Sequence, residues 1–211
     1  MASISEVIEV ANLLGLVAFA VSGVFKGINA KLDLLGVCVL GFLTALGGGI
    51  VRDLLVNRVP KALTGSSDIT TTAFGIAFAL LTYKLLRRDL SGAKPVKVVD
   101  AVGLSAFSVN GFLTGAQAGI NDFGVVLLGV ITGNGGGLIS DLLTGKIPSV
   151  LKEDFYASCS LIGGIVFLLT YGRLPPELST GLTFFSILIL RLVAITKSWR
   201  LPRFGLYEGR D

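Results

Sequence analysis

Long apolar runs alternate with short charged links along the whole chain. Seven runs stand out, at approximately Val7–Phe25, Leu34–Val51, Ile69–Leu86, Val98–Thr114, Phe123–Ser140, Phe155–Tyr171 and Gly181–Ile195. Each is close to the roughly 20 apolar residues that carry a helix across a bilayer. The links, such as Lys26–Asp33 and Arg87–Lys97, are too short to fold as soluble domains. Met1–Val10 contains Glu6 and Glu9 but no Lys or Arg, so it lacks the basic region of a signal peptide and is expected to open the first helix.

The runs repeat. At an offset of 88 positions, LLGVCVLGFLTALGGGIVRDLLVNRVPKAL (34–63) aligns without a gap to DFGVVLLGVITGNGGGLISDLLTGKIPSVL (122–151). The glycine triplets coincide, as do Asp53 with Asp141 and Pro60 with Pro148. The same offset sets Gly15, Phe19, Gly23 and Gly27 opposite Gly103, Phe107, Gly111 and Gly115, and repeats Leu80–Tyr83 at Leu168–Tyr171. Shared hydrophobicity aligns leucines, but it does not align Gly, Asp, Pro and Tyr in one register. A unit of three helices is odd in number, so the second copy enters the membrane from the opposite side. The expected fold is all-α and integral to the membrane: one domain over residues 1–211, with repeat one at about 7–86, repeat two at about 95–174 and an unpaired seventh helix at about 181–196.

Composition supports this solvent. The chain is 52% hydrophobic and 15% charged, with a mean hydropathy of +0.80, against about 25% charged in soluble domains. The net charge of +4 is spread over the links and acts as a topology signal, with no nucleic-acid partner implied. One face collects Lys26, Lys31, Lys84, Arg87, Arg88, Lys94, Lys97, Lys146, Lys152, Lys197, Arg200, Arg203 and Arg210; the other has Arg58, Lys61 and Arg173, with Arg52 near its helix end. The basic face is expected to be cytoplasmic, with the N-terminus outside and the C-terminus inside. Histidine is absent and Cys38 and Cys159 lie in apolar runs. No metal site, cofactor or catalytic constellation is therefore expected, and the chain is not read as an enzyme.

The candidate chemistry gathers at the triplets. Three consecutive glycines, each costing a helix about 1 kcal/mol relative to alanine, are expected to break the second and fifth helices at Gly47–Gly49 and Gly135–Gly137. Broken backbone at membrane depth needs protein or water around it, which points to an ion pathway; close helix crossing is the competing explanation. Asp53 and Asp141 follow by four residues and are expected in that pathway. Arg52 is a candidate partner in the first copy, where the second has Ser140, and capping of a resumed half-helix is the alternative role. Thr44, Thr132 and Asn134 could offer oxygens to a hydrated cation, while threonine can equally bond back to its own helix. Pro60 and Pro148 are expected to end the half-helices. Gly23-x-x-x-Gly27 and Gly111-x-x-x-Gly115 read as packing motifs, and Lys26 as a snorkelling lysine. Arg191, inside the last run, could snorkel, bind headgroups or pair with an acid; the sequence does not choose.

GGGIVRDLL (47–55) with Pro60 and GNGGGLISDLL (133–143) with Pro148 resemble the trimeric intracellular cation (TRIC) channel family in its prokaryotic branch, over nearly the whole chain. The resemblance implies a homotrimer in a prokaryotic plasma membrane, in contact with lipids. It also implies a pathway for potassium, with sodium as a second ion, through each protomer past Gly47–Gly49, Asp53, Gly135–Gly137 and Asp141. Animal members carry basic residues in the fourth helix, whereas Val98–Ala118 has none, so voltage gating does not follow. The alternative function is a secondary transporter of a small solute such as an amino acid, since transporters also use inverted repeats.

Overall fold

The computed structural model describes residues 4–86, 94–152, 155–197 and 199. Arg87, Arg88, Arg200, Arg203 and Arg210, counted above for topology, lie outside them. The order of helices is α1 (Ile4–Asn29), α2 (Leu34–Leu55), α3 (Lys61–Thr64), α4 (Ser67–Leu86), α5 (Lys94–Gln117), α6 (Asp122–Leu143), α7 (Ser149–Lys152), α8 (Ala157–Thr170) and α9 (Pro176–Lys197). Six of the apolar runs seen in the sequence lie within α1, α2, α4, α5, α6 and α9; the sixth in order, Phe155–Tyr171, overshoots the 14-residue α8 at both ends. Five of these helices, α1, α2, α5, α6 and α9, are long and apolar enough to cross a membrane.

One expectation fails. Helices α2 and α6 do not break at the glycine triplets; each is a continuous α-helix of 22 residues. A membrane helix bonds every backbone group internally because hydrocarbon offers no substitute partner, and that requirement outweighs the low propensity of glycine. The prolines likewise do not end these helices. Helix α2 stops at Leu55, and Pro60 is the N-cap of the short α3; Pro148 immediately precedes α7. Proline suits a helix start, where its missing N–H would have no intrahelical acceptor.

The 88-residue offset extends to local structure that the aligned letters did not display. Asp33 caps α2 by accepting from the Gly36 amide at 2.7 Å, and Asn121 caps α6 by accepting from Gly124 at 2.8 Å. Left-handed residues recur in pairs at Lys31 and Gly119, and at Asn57 and Gly145. Each closes the helix before it in the same way, as when the Arg58 amide bonds the Asp53 carbonyl at 2.8 Å and Lys146 bonds Asp141 at 2.9 Å. Only Gly145 of the second pair adopts φ > 0 without a side-chain penalty. Gly145→Ala is therefore expected to cost about 1 kcal/mol of stability, whereas Asn57→Gly is expected to be neutral or slightly stabilising. Thermal unfolding in detergent measures both.

Helices α1 and α5 form the centre. On α5 the buried residues are Asp100, Ala101 and every position from Gly103 to Gly115. The two helices lock reciprocally: a Cβ on Gly15 would stand 2.5 Å from the Phe107 ring and one on Gly103 2.5 Å from the Phe19 ring. The rings themselves meet at 5.3 Å. The Gly-x-x-x-Gly motifs do serve packing, Gly23 and Gly27 against α2 and Gly111 and Gly115 against α6. Helix α4 turns Phe74, Phe78, Leu81 and Leu85 outward, as lipid-facing helices do.

Candidate functional site

The site is built where α2 crosses α6. Contact centres on the middle glycine of each triplet. A Cβ on Gly48 would collide with the Thr132 carbonyl, and one on Gly136 with the Thr44 carbonyl. A Cβ on Gly135 would stand 3.1 Å from the Gly48 Cα. The triplets thus let two helices approach backbone to backbone, the close-crossing role that had been the competing explanation. The side chains of Thr44 and Thr132 bond back to Leu40 and Leu128 carbonyls, both at 2.6 Å. Each hydroxyl thereby places its one proton on its own helix and keeps its oxygen lone pairs as acceptors.

The crossing separates two polar ends. At one end Asp53 accepts from Arg52 Nε at 2.8 Å and Nη2 at 2.6 Å. Arg52 Nη1 also donates to Asn110 Oδ1 on α5, and Asn110 Nδ2 donates to the Ile8 carbonyl on α1 at 3.2 Å. A cavity of about 220 Å³ opens here, and its lining includes Asn12, Arg52, Asp53, Asn110 and Thr114. At the other end Lys26 Nζ, from α1, donates to Asp141 Oδ1 at 2.9 Å and Ser140 Oγ at 3.0 Å.

Asp53 and Asp141 play equivalent backbone roles. Asp53 Oδ2 accepts from the Lys61 amide at 2.9 Å, and Asp141 Oδ2 from the Ser149 amide at 2.7 Å. These amides, again 88 positions apart, begin α3 and α7, so each carboxylate caps a short helix that follows its own. Capping therefore occurs, but on a different helix from the resumed half-helix expected. Each Asp is satisfied by one cation and one N–H, which is how a carboxylate survives in an apolar medium. The cation, however, has changed helices: Arg52 has Ser140 as its counterpart, and Lys26 has Thr114.

Of the residues singled out in the sequence, Arg52 joins Asp53 and Ser140 joins Asp141. Asn134 turns into the α5–α6–α8 packing, where its Nδ2 donates to the Val130 carbonyl at 2.6 Å and Ser160 Oγ at 3.4 Å. Lys26 does not simply snorkel: it ends on Asp141, 115 residues away. Sequence reasoning also missed Asn110, Asp100 and Tyr156. Their signal was a polar residue within an apolar run, weak in a chain whose helices carry many Ser and Thr.

These features define a class: a multi-pass all-α membrane protein with a duplicated core and a charge pair at each end of a glycine-lined crossing. One family model, described as "Glycine transporter", matches this chain twice, at residues 9–84 and 97–172, which are again 88 apart. The membrane protein YvgT of Bacillus subtilis is 35% identical over 92% of this chain and 95% of its own length. The inner membrane protein YadS of Escherichia coli is 36% identical over 94% and 96%. A prokaryotic TRIC channel crystallised in 0.5 M KCl superposes with a TM-score of 0.86 at 32% identity, covering 93% of this chain and 100% of that one. The TRIC orthologue from Rhodobacter sphaeroides gives 0.83 at 28% identity, with 92% and 99% covered. The chain belongs to the TRIC family.

Proposed function

We propose that this protein is a monovalent cation channel, chiefly for potassium, that works as a homotrimer with one pathway in each protomer. The pathway follows the α2–α6 crossing from the Arg52–Asp53 cavity to the Lys26–Asp141 end. It runs within seven membrane-spanning helices arranged as two inverted repeats and α9. The observation that carries this reading is the placement of Asp53 and Asp141 at opposite ends of the crossing, each fixed by the equivalent backbone amide. The reciprocal contacts across the two triplets support the inverted arrangement. The basic face lies with Lys26 and Asp141 and would be cytoplasmic, in a prokaryotic plasma membrane.

Each carboxylate could replace part of the hydration shell of a passing cation while binding it weakly enough to release it. A protein cation pairs with each carboxylate instead, and on this reading those pairs are what a permeating ion has to displace. Conduction requires Lys26 to leave Asp141, and a path past Arg52. The third glycine of each triplet faces the cation of its own end: the Cβ that Gly49 lacks would stand 3.9 Å from Arg52 Nη2, and that of Gly137 3.9 Å from Lys26 Nζ and 3.2 Å from the Tyr156 hydroxyl.

Planar-bilayer recording under a potassium chloride gradient tests the proposal. Discrete openings reversing near the potassium potential are expected. Asp141→Asn should lower unitary conductance by about tenfold, equivalent to about 1.4 kcal/mol, because it removes the attracting charge and leaves the ammonium of Lys26 in the path. Asp53→Asn should act in the same direction. No openings, together with saturable glycine uptake into liposomes, would replace the channel by the transporter. The solved relatives at 28–35% identity are described as cation channels, which favours the channel.

A further inference from the structure

Helix α9 has no counterpart in the repeat, and it carries a buried charge that the proposed pathway does not use. Arg191, six residues before the end of α9, is 3% exposed. Its Nη1 donates to the Phe155 carbonyl at 3.3 Å, and its guanidinium lies 4.4 Å from the centre of the Tyr156 ring, within cation–π range. Phe155 adopts φ +57°, unfavourable for a side-chain-bearing residue. Its ring also meets that of Trp199 edge-on at 5.2 Å. The turn that begins α8 is thus gripped from the α9 side at several points.

From this turn a chain of contacts runs to the lysine end of the pathway. The Tyr156 hydroxyl donates to Asp100 Oδ2, and Asp100 Oδ1 accepts from Ser22 at 3.0 Å. Ser22 lies one turn before Lys26, on the same face of α1. A Cβ on Gly137 would stand 3.2 Å from the Tyr156 hydroxyl and 3.9 Å from Lys26 Nζ, so hydroxyl and ammonium border the same gap. In the other half the equivalent residues are Asn12 and Asp68, which bond directly at 2.9 Å; there the nearby cation is Lys61, 3.9 Å from Asp68. The Tyr156–Asp100 link, with Arg191 beside it, therefore has no like arrangement at the Arg52 end.

We propose that Arg191 is a positioning residue for the Lys26 end. By holding the Tyr156 hydroxyl on Asp100, it keeps Asp100 from competing with Asp141 for the Lys26 ammonium, and so stabilises the closed state. This rests on the channel reading. The test is single-channel recording of Arg191→Gln, Tyr156→Phe and the double variant, with thermal unfolding of each in detergent. Each single variant is expected to raise open probability by about tenfold, as for a coupled contact in a buried network, with unitary conductance unchanged. The double variant should match the singles, not multiply them. A role confined to stability would lower the unfolding temperature and leave open probability at the wild-type value, which would overturn the inference. So would independent, multiplying effects. If Arg191→Gln does not fold, Tyr156→Phe decides alone, since it removes one oxygen and keeps the ring. A silent wild type would overturn the channel reading and this inference together, whereas a conducting wild type with unaltered variants would overturn this inference only.

Discussion

Lys26→Gln is expected to raise open probability by about tenfold to hundredfold while preserving selectivity for cations. The ammonium of Lys26 is held by two contacts, to Asp141 and Ser140, and its side chain keeps 17% exposure. Removing one partner of a buried pair typically costs about 3–5 kcal/mol. On the proposed pathway that cost falls mainly on the closed state, because an open pathway would expose Asp141 to water. A partly exposed pair yields less than the full amount, hence about 1.4–2.8 kcal/mol and the range given. On the proposed pathway Asp141 remains to attract cations, so the reversal potential should stay near that of potassium. Lys26→Arg, which keeps the charge, should leave the channel mostly closed. Bilayer recording of both variants distinguishes charge from bulk. If Lys26→Gln opened no more often than wild type, the pair would not be a barrier to conduction. Arg52 should respond differently, since it makes three side-chain bonds and its side chain is 7% exposed. Its neutralisation is expected first as lost stability.

Gly48→Ala and Gly136→Ala are each expected to prevent assembly of the core. At both positions the added Cβ meets a backbone carbonyl of the facing helix, which cannot rotate aside as a side chain would. The helices would have to separate over their whole contact, forfeiting close packing on both sides of the crossing. Overpacking of this kind costs typically 1–3 kcal/mol even where side chains can yield, so a loss above about 3 kcal/mol is expected here. Gly49→Ala is the matched control: nothing but Arg52 Nη2, at 3.9 Å, lies near its Cβ position, and alanine is the better helix former. Size-exclusion profiles and unfolding temperatures in detergent should show two aggregating variants beside a stable one. Wild-type behaviour from Gly48→Ala would mean that the crossing is looser than the contacts described.

The sequence carried some of this directly. Apolar runs of about spanning length can satisfy their backbones in lipid only as helices, so the order of the longer helices could be read from hydrophobicity, while the four-residue α3 and α7 could not. The repeat was legible because Gly, Asp, Pro and Tyr recur in one gapless register, and it led to Asp53 and Asp141 as a pair. Arg52 was found because its partner is the next residue. The two Gly-x-x-x-Gly motifs could be read because their spacing places both glycines on one helix face.

What only the tertiary structure decided depends on contacts between residues far apart in the chain. The triplets suggested broken helices on propensity; lipid outweighs propensity, and the glycines instead serve a crossing whose other half lies 88 residues away. Lys26 looked like a surface lysine because its carboxylate is on α6. Arg191 gave no indication of a partner, since Phe155 and Tyr156 reach it only through the packing of α8 against α9. Sequence fixes the requirement that each buried charge find a partner. Which partner it finds, and from which helix, is set by how the two repeats pack together.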